Sequence, residues 1–93
     1  MKQASRLILF RDNKLLVLQR DKFGSKYNVL VGGGVEMGES PEQALVREAL
    51  EETGLAIKDF RLVFIEEAGK PYGTQQIFLC KDPGGEIALQ SDS

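Results

Sequence analysis

Three glutamates, Glu48, Glu51 and Glu52, stand close together in a chain without histidine and with a single cysteine. Their spacing of i, i+3 and i+4 places them within an arc of about 100° on one face of a helix. Like charges so placed repel by about 0.2–0.5 kcal/mol per pair, so stability alone would favour interleaved lysines. A divalent cation turns the repulsion into coordination. Hard ions such as Mg²⁺ take oxygen ligands and often use one or two carboxylates with substrate phosphate oxygens. The chain has no histidine and one cysteine, Cys80. That excludes Ser-His and Cys-His nucleophile schemes, histidine metal sites and an intrachain disulfide. Proton transfer therefore falls to carboxylates, lysine, tyrosine or water activated by a metal.

A well-marked helix must carry the three acids. Ser40 is a good N-cap, Pro41 suits the first helical position and Gln43 completes a capping box. The helix is expected to span 41–53 and to stop at Gly54, the residue type favoured just past a helix end. Leu45, Val46, Ala49 and Leu50 form its apolar stripe. This stripe is expected to lie roughly opposite the glutamates, leaving the carboxylates facing away from the core toward the segment that holds Gly32, Gly33 and Gly34. Three consecutive glycines are poor strand and poor helix material, but they let backbone approach a ligand closely.

Residues 6–10 and 14–20 read as two strands joined by a tight turn at Arg11-Asp12-Asn13. Residues 21–26 read as a charged connection, 27–31 as a short strand running into the glycines, and 35–39 as a loop. Residues 59–67, 74–81 and 86–89 read as further strands, with turns at 68–73 and 82–85. The pattern is one α+β domain over 1–93, a sheet of five or six strands with one helix in the middle of the sequence. Cys80, beside Ile77, Phe78 and Leu79, reads as a buried strand residue.

Glycine segment, capped helix and acidic triplet together resemble the Nudix box. Gly33 is followed by five residues and Glu39, then by seven residues and Arg47-Glu48; Ala49, Leu50, Glu51-Glu52, Thr53, Gly54 and Leu55 complete the pattern. Ala49 stands where the family usually has a larger aliphatic, and Val31 where many relatives carry proline. The resemblance implies a mixed sheet sandwich and Mg²⁺-dependent hydrolysis of a nucleoside diphosphate linked to another group, with Mn²⁺ as a substitute ion. It assigns metal ligation to Glu48, Glu51, Glu52 and the Gly33 carbonyl, and the proton-accepting role to Glu48 or Glu51. Arg47 is expected to orient carboxylates, Gly32–Gly34 to border the substrate, and Glu39 and Gly54 to support loop and helix. Relatives carry a second helix that closes the far side of the sandwich. The sequence stops before it, so either the chain is a fragment or a partner, such as the second copy of a homodimer, covers the bare sheet face. A nucleotide-binding module without turnover, or an inactive fragment, is the alternative reading.

Composition narrows the partners. With 93 residues, 42% of them apolar and 28% charged, the chain suits one ordered domain. A net charge of −2 from 14 acids and 12 scattered bases offers no field for a nucleic-acid polymer. No apolar run is long enough to span a bilayer, and the amino terminus lacks a leader pattern, so no membrane partner and a cytoplasmic location are expected. Tyr27 and Phe23 are candidates to stack on a base, whereas Phe78 suits the core. Pro71 and Tyr72 sit where some Nudix subgroups carry specificity residues, although a hairpin tip asks for the same residue types. Glu66 and Glu67 read as an exposed strand end.

Overall fold

A computed structural model describes residues 2–70 and 73–88. The strands are β1 (Gln3–Arg11), β2 (Lys14–Leu15), β3 (Val17–Lys22), β4 (Ser25–Gly34), β5 (Phe60–Glu67) and β6 (Thr74–Cys80), with one helix, α1 (Pro41–Thr53), between β4 and β5. The sheet runs β3-β4-β1-β6-β5, and β2 pairs only with β1. The β1–β6 pairing is parallel and the others are antiparallel. The fold is α+β with a mixed sheet.

Local chemistry sets the turns. Asp12 and Asn13 both adopt left-handed backbone angles, φ 53° and 63°. This is the two-residue hairpin geometry that matches strand twist and that Asp and Asn tolerate best. The segment expected as one strand over 14–20 changes partner at Leu16: β2 pairs with β1, and β3 pairs with β4. The connection expected over 21–26 is shorter in the fold. Asp21 pairs with Lys26 and Lys22 with Ser25, so only Phe23 and Gly24 form the turn. Residues 86–88 are not a strand; they pass the end of α1, where Ala88 N–H donates to the Thr53 carbonyl at 2.8 Å. Leu89, Pro71, Tyr72 and the segment where a second helix would begin lie outside the described residues.

The core forms where α1 crosses β4 and β1. Leu7, Leu9, Val31, Leu45, Ala49, Leu55, Ile57, Phe78 and Cys80 pack there. Burying each of the larger aliphatic chains contributes about 1.5–3 kcal/mol. Phe60 meets Phe78 edge to face, with ring centroids 5.7 Å apart. The helix turns inward Ala44, Leu45, Ala49 and Thr53, which keeps Leu45 and Ala49 of the expected stripe but replaces its other two members. Val46 and Leu50 are exposed, because the helix rests on β4 and β1 and leaves its other flank over open space, where Val46 lines a shallow groove with Phe60.

Candidate active site

The helix that carries the acids is fixed at both ends. Ser40 Oγ accepts from Gln43 N–H at 3.0 Å, and Gln43 Oε1 accepts from Ser40 N–H at 2.8 Å. Gly54 takes the left-handed C-cap at φ 78°, its N–H donating to the Leu50 carbonyl. Ser5 on β1 donates its hydroxyl to the Pro41 carbonyl at 2.7 Å, which ties the first helical turn to the sheet. At the other end Thr53, fully buried, donates to the Ala49 carbonyl and accepts from Leu55 N–H.

The three glycines are not a loop. They end β4, with Gly32, Gly33 and Gly34 opposite Arg6, Ser5 and Ala4 of β1. What makes glycine necessary is close approach rather than chain freedom. At Gly32, φ is 143° and an added Cβ would overlap the Ser5 carbonyl oxygen. At Gly33 an added Cβ would lie 2.7 Å from the carboxyl carbon of Glu48. The helix can therefore lay its acids directly on the strand backbone.

Glu52 and Glu48 occupy that junction. Glu52 Oε1 accepts from Gly32 N–H at 2.9 Å, and its other oxygen pairs with Arg20 on β3 at 3.1 Å. Burial pushes the Glu52 carboxyl above the ordinary range; the Gly32 N–H works against that rise and the charge of Glu48 adds to it. The side chains of Glu48 and Glu52 are 17% and 16% exposed, against 58% for Glu51. This corrects the expectation that all three glutamates face outward opposite the apolar stripe. Two of them flank the buried face because the glycine strand leaves room beside it, and only Glu51 looks into solvent.

Arg47 organises the surroundings. It grips Glu39 through Nε at 2.7 Å and Nη2 at 3.0 Å, reaches the Gly34 carbonyl at 3.1 Å and meets Glu48 at 2.7 Å. Glu51 is a distant fourth partner at 3.5 Å. Glu39 in turn accepts from Glu36 N–H at 3.0 Å, closing the loop between β4 and α1. The bond from Arg47 holds the Glu39 carboxyl below its usual range, and the same pairing raises the guanidinium. One side chain thus links loop, glycine strand and helix, as a planar fork of donors can and a lysine cannot.

Sequence reasoning missed Arg20 and the donor role of Gly32. A basic residue on a neighbouring strand carries no local signal; only the fold brings β3 beside the helix. Of the aromatic candidates, Phe23 is fully exposed at the β3–β4 turn, Tyr27 is half-exposed on β4, and Phe78 is in the core. Glu66 and Glu67 are exposed on β5.

The donor set near Gly33 is all oxygen, and the charge of Glu48 adds to the cost of ionising Glu52. That composition fits a hard divalent cation. Among the described residues no three acidic side chains already converge as a cage, since Glu51 stands apart and the two arginines neutralise the inner pair.

The profile of the NUDIX domain matches residues 1–92. The chain belongs to the Nudix family. It is 32% identical over 79 residues to the NAD-capped RNA hydrolase NudC of Escherichia coli O1:K1, a match that takes in 85% of this chain and 31% of that protein. The chain spans about a third of the length of such curated relatives. Among solved structures it resembles an ADP-ribose pyrophosphatase from Streptococcus suis, with TM-score 0.76 and 30% identity over 97% of this chain and 66% of that one. A nudix hydrolase family member from Chromobacterium violaceum gives TM-score 0.78 at 28% identity, over 97% and 56% of the two chains. Both structures superpose on nearly the whole of this chain, its mixed sheet and helix included. No helix among the described residues is long and apolar enough to cross a membrane.

Proposed function

We propose that the protein is a metal-dependent pyrophosphohydrolase acting on a small nucleoside diphosphate derivative. The observation that carries this reading is the seating of Glu48 and Glu52 against Gly32 and Gly33, which gathers two carboxylates beside strand backbone that carries no side chains. Glu48, Glu52 and the Gly33 carbonyl, with Glu51 from the rim, are the groups that would hold Mg²⁺ or Mn²⁺. When bound, such an ion neutralises a diphosphate and lowers the pKa of water. Glu48 or Glu51 accepts the proton of the attacking water, and Arg47 keeps Glu48 aimed while Glu39 fixes the loop. Gly32–Gly34 leave the strand bare of side chains where the diphosphate approaches. Gly54 ends the helix so that Glu51 and Glu52 stay in its last turn.

The relatives support the substrate class: NAD-capped RNA and ADP-ribose both contain a phosphoric anhydride between nucleoside and a second group. A single free cysteine suits a reducing compartment such as the cytoplasm. The test is a panel of nucleoside diphosphate derivatives incubated with the protein and Mg²⁺ or Mn²⁺. Release of a nucleoside monophosphate that stops on chelation supports the proposal. Tight binding with no turnover would overturn it in favour of a nucleotide-binding module.

A further inference from the structure

The two edges of the sheet differ in a way that the proposed hydrolysis does not require. At one edge β3 carries Gln19, Arg20, Asp21 and Lys22, the polar dressing that normally discourages strand addition. At the other edge β5 presents Leu62, Val63, Phe64 and Ile65 in succession, 44%, 42%, 54% and 51% exposed. Among the described residues neither α1 nor a loop buries this run, and β5 is the last strand on its side of the sheet. Flanking the apolar run are Arg61 and Glu66. Both are exposed, and neither side chain has a partner among the described residues.

We infer that β5 pairs antiparallel with β5 of a second copy of this chain, about a twofold axis between Val63 and Phe64. The register follows from the strand itself. Leu62 pairs with Phe78 and Ile65 with Gln76, so both lie on the face that α1 covers elsewhere; Arg61, Phe64 and Glu66 pair with Leu79, Ile77 and Gln75 and lie on the opposite face. The irregularity between Leu62 and Phe64 is what shifts the alternation. With that shift, a self-pairing centred there keeps every flanking pair on a common face and sets opposite charges against each other. Leu62 meets Ile65 of the second copy, Phe60 meets Glu67, and Arg61 meets Glu66, each twice by symmetry. Moving the register by one residue sets Leu62 beside Phe64 or Glu66, on opposite faces, and separates the charges. The occupant is a second copy because the strand is complementary to itself in both apolar content and charge.

Sedimentation velocity over a concentration series, together with a charge-swap cycle, tests this. The chain is expected to dimerise as its concentration rises toward about 100 μM, the weak end for an interface of small area. Arg61→Glu and Glu66→Arg each turn two attractive contacts into two repulsive ones and should weaken the dimer by about tenfold or more. The double variant R61E/E66R should return to within about threefold of the original. A chain that stays monomeric, single variants that dimerise normally, a double variant as impaired as the singles, or open-ended assembly would each overturn the inference. Should a variant fail to fold, amide exchange in the unaltered chain decides. The β5 amides must become more protected as concentration rises, and concentration-independent exchange refutes the pairing.

Discussion

Substituting alanine at two adjacent glycines should separate folding from chemistry. Gly33→Ala adds a Cβ that would sit 2.7 Å from the carboxyl carbon of Glu48 and 2.8 and 2.9 Å from its oxygens. Ordinary carbon contacts are about 3.5–4.0 Å, so the carboxylate must retreat by about 1 Å. The intruder meets the far end of a flexible side chain, and turning it off its rotamer costs about 0.5–1.5 kcal/mol. Removing a glycine from the unfolded ensemble returns about 0.4–1 kcal/mol, so the net change in stability should stay within about 1 kcal/mol. Catalysis should not be so tolerant: a misplacement of about 1 Å at a reacting group costs about 10²-fold. Gly32→Ala is the contrast. Its Cβ would overlap the Ser5 carbonyl, which is backbone held in the β1–β4 ladder, and its φ of 143° is unsuited to alanine. A loss of about 3 kcal/mol or more is expected, lowering Tm by about 12 °C or more in a domain of this size. Thermal unfolding, calorimetric titration with Mn²⁺ and anhydride turnover would be measured on both variants. Full ion affinity and turnover in G33A, or a larger Tm loss in G33A than in G32A, would refute the account of why these positions are glycine.

Further outcomes follow from the same contacts. Glu52→Gln keeps an acceptor for the Gly32 N–H and removes the repulsion with Glu48 while losing the Arg20 pair; stability should change by about 1 kcal/mol or less, while turnover drops by about 10²-fold or more, as denaturation curves and rate assays would show. Arg47→Lys cannot grip Glu39 with two nitrogens and still reach Gly34 and Glu48, so about 1–2 kcal/mol of stability should be lost, with turnover falling too; a normal melting curve would contradict the linking role. Asp82 on the loop after β6 is held at about 2 by a two-pronged bond from Arg11. A lowered folded-state pKa gives stability that is present above the unfolded value of 3.8 and disappears as pH falls through about 2. Asp82→Asn should therefore lower Tm at neutral pH and match the parent near about pH 2, a convergence that melting curves across a pH series would reveal.

The bounds of the helix were legible in the sequence. Ser40, Pro41, Gln43 and Gly54 act through contacts within a few residues, and its bounds of 41–53 are those the caps predict. The box spacing was legible for the same reason, and with it the family. What local pattern could not show was direction. The helical stripe was misjudged at Val46 and Leu50 because burial depends on which strands lie beneath the helix, and those strands come from the first third of the chain. Gly32–Gly34 read as poor strand material on intrinsic preference, yet pairing with β1 overrides that preference. Arg20 went unnoticed because its partner is 32 residues away.

Arg47 has one more consequence. The site holds its own counter-charge: a guanidinium sits among Glu36, Glu39, Glu48 and Glu51, and Arg20 sits on Glu52. Acids so quenched do not need an ion to keep the helix from springing off the sheet. If the proposed metal dependence holds, a chelator should silence the chemistry while the melting temperature barely moves.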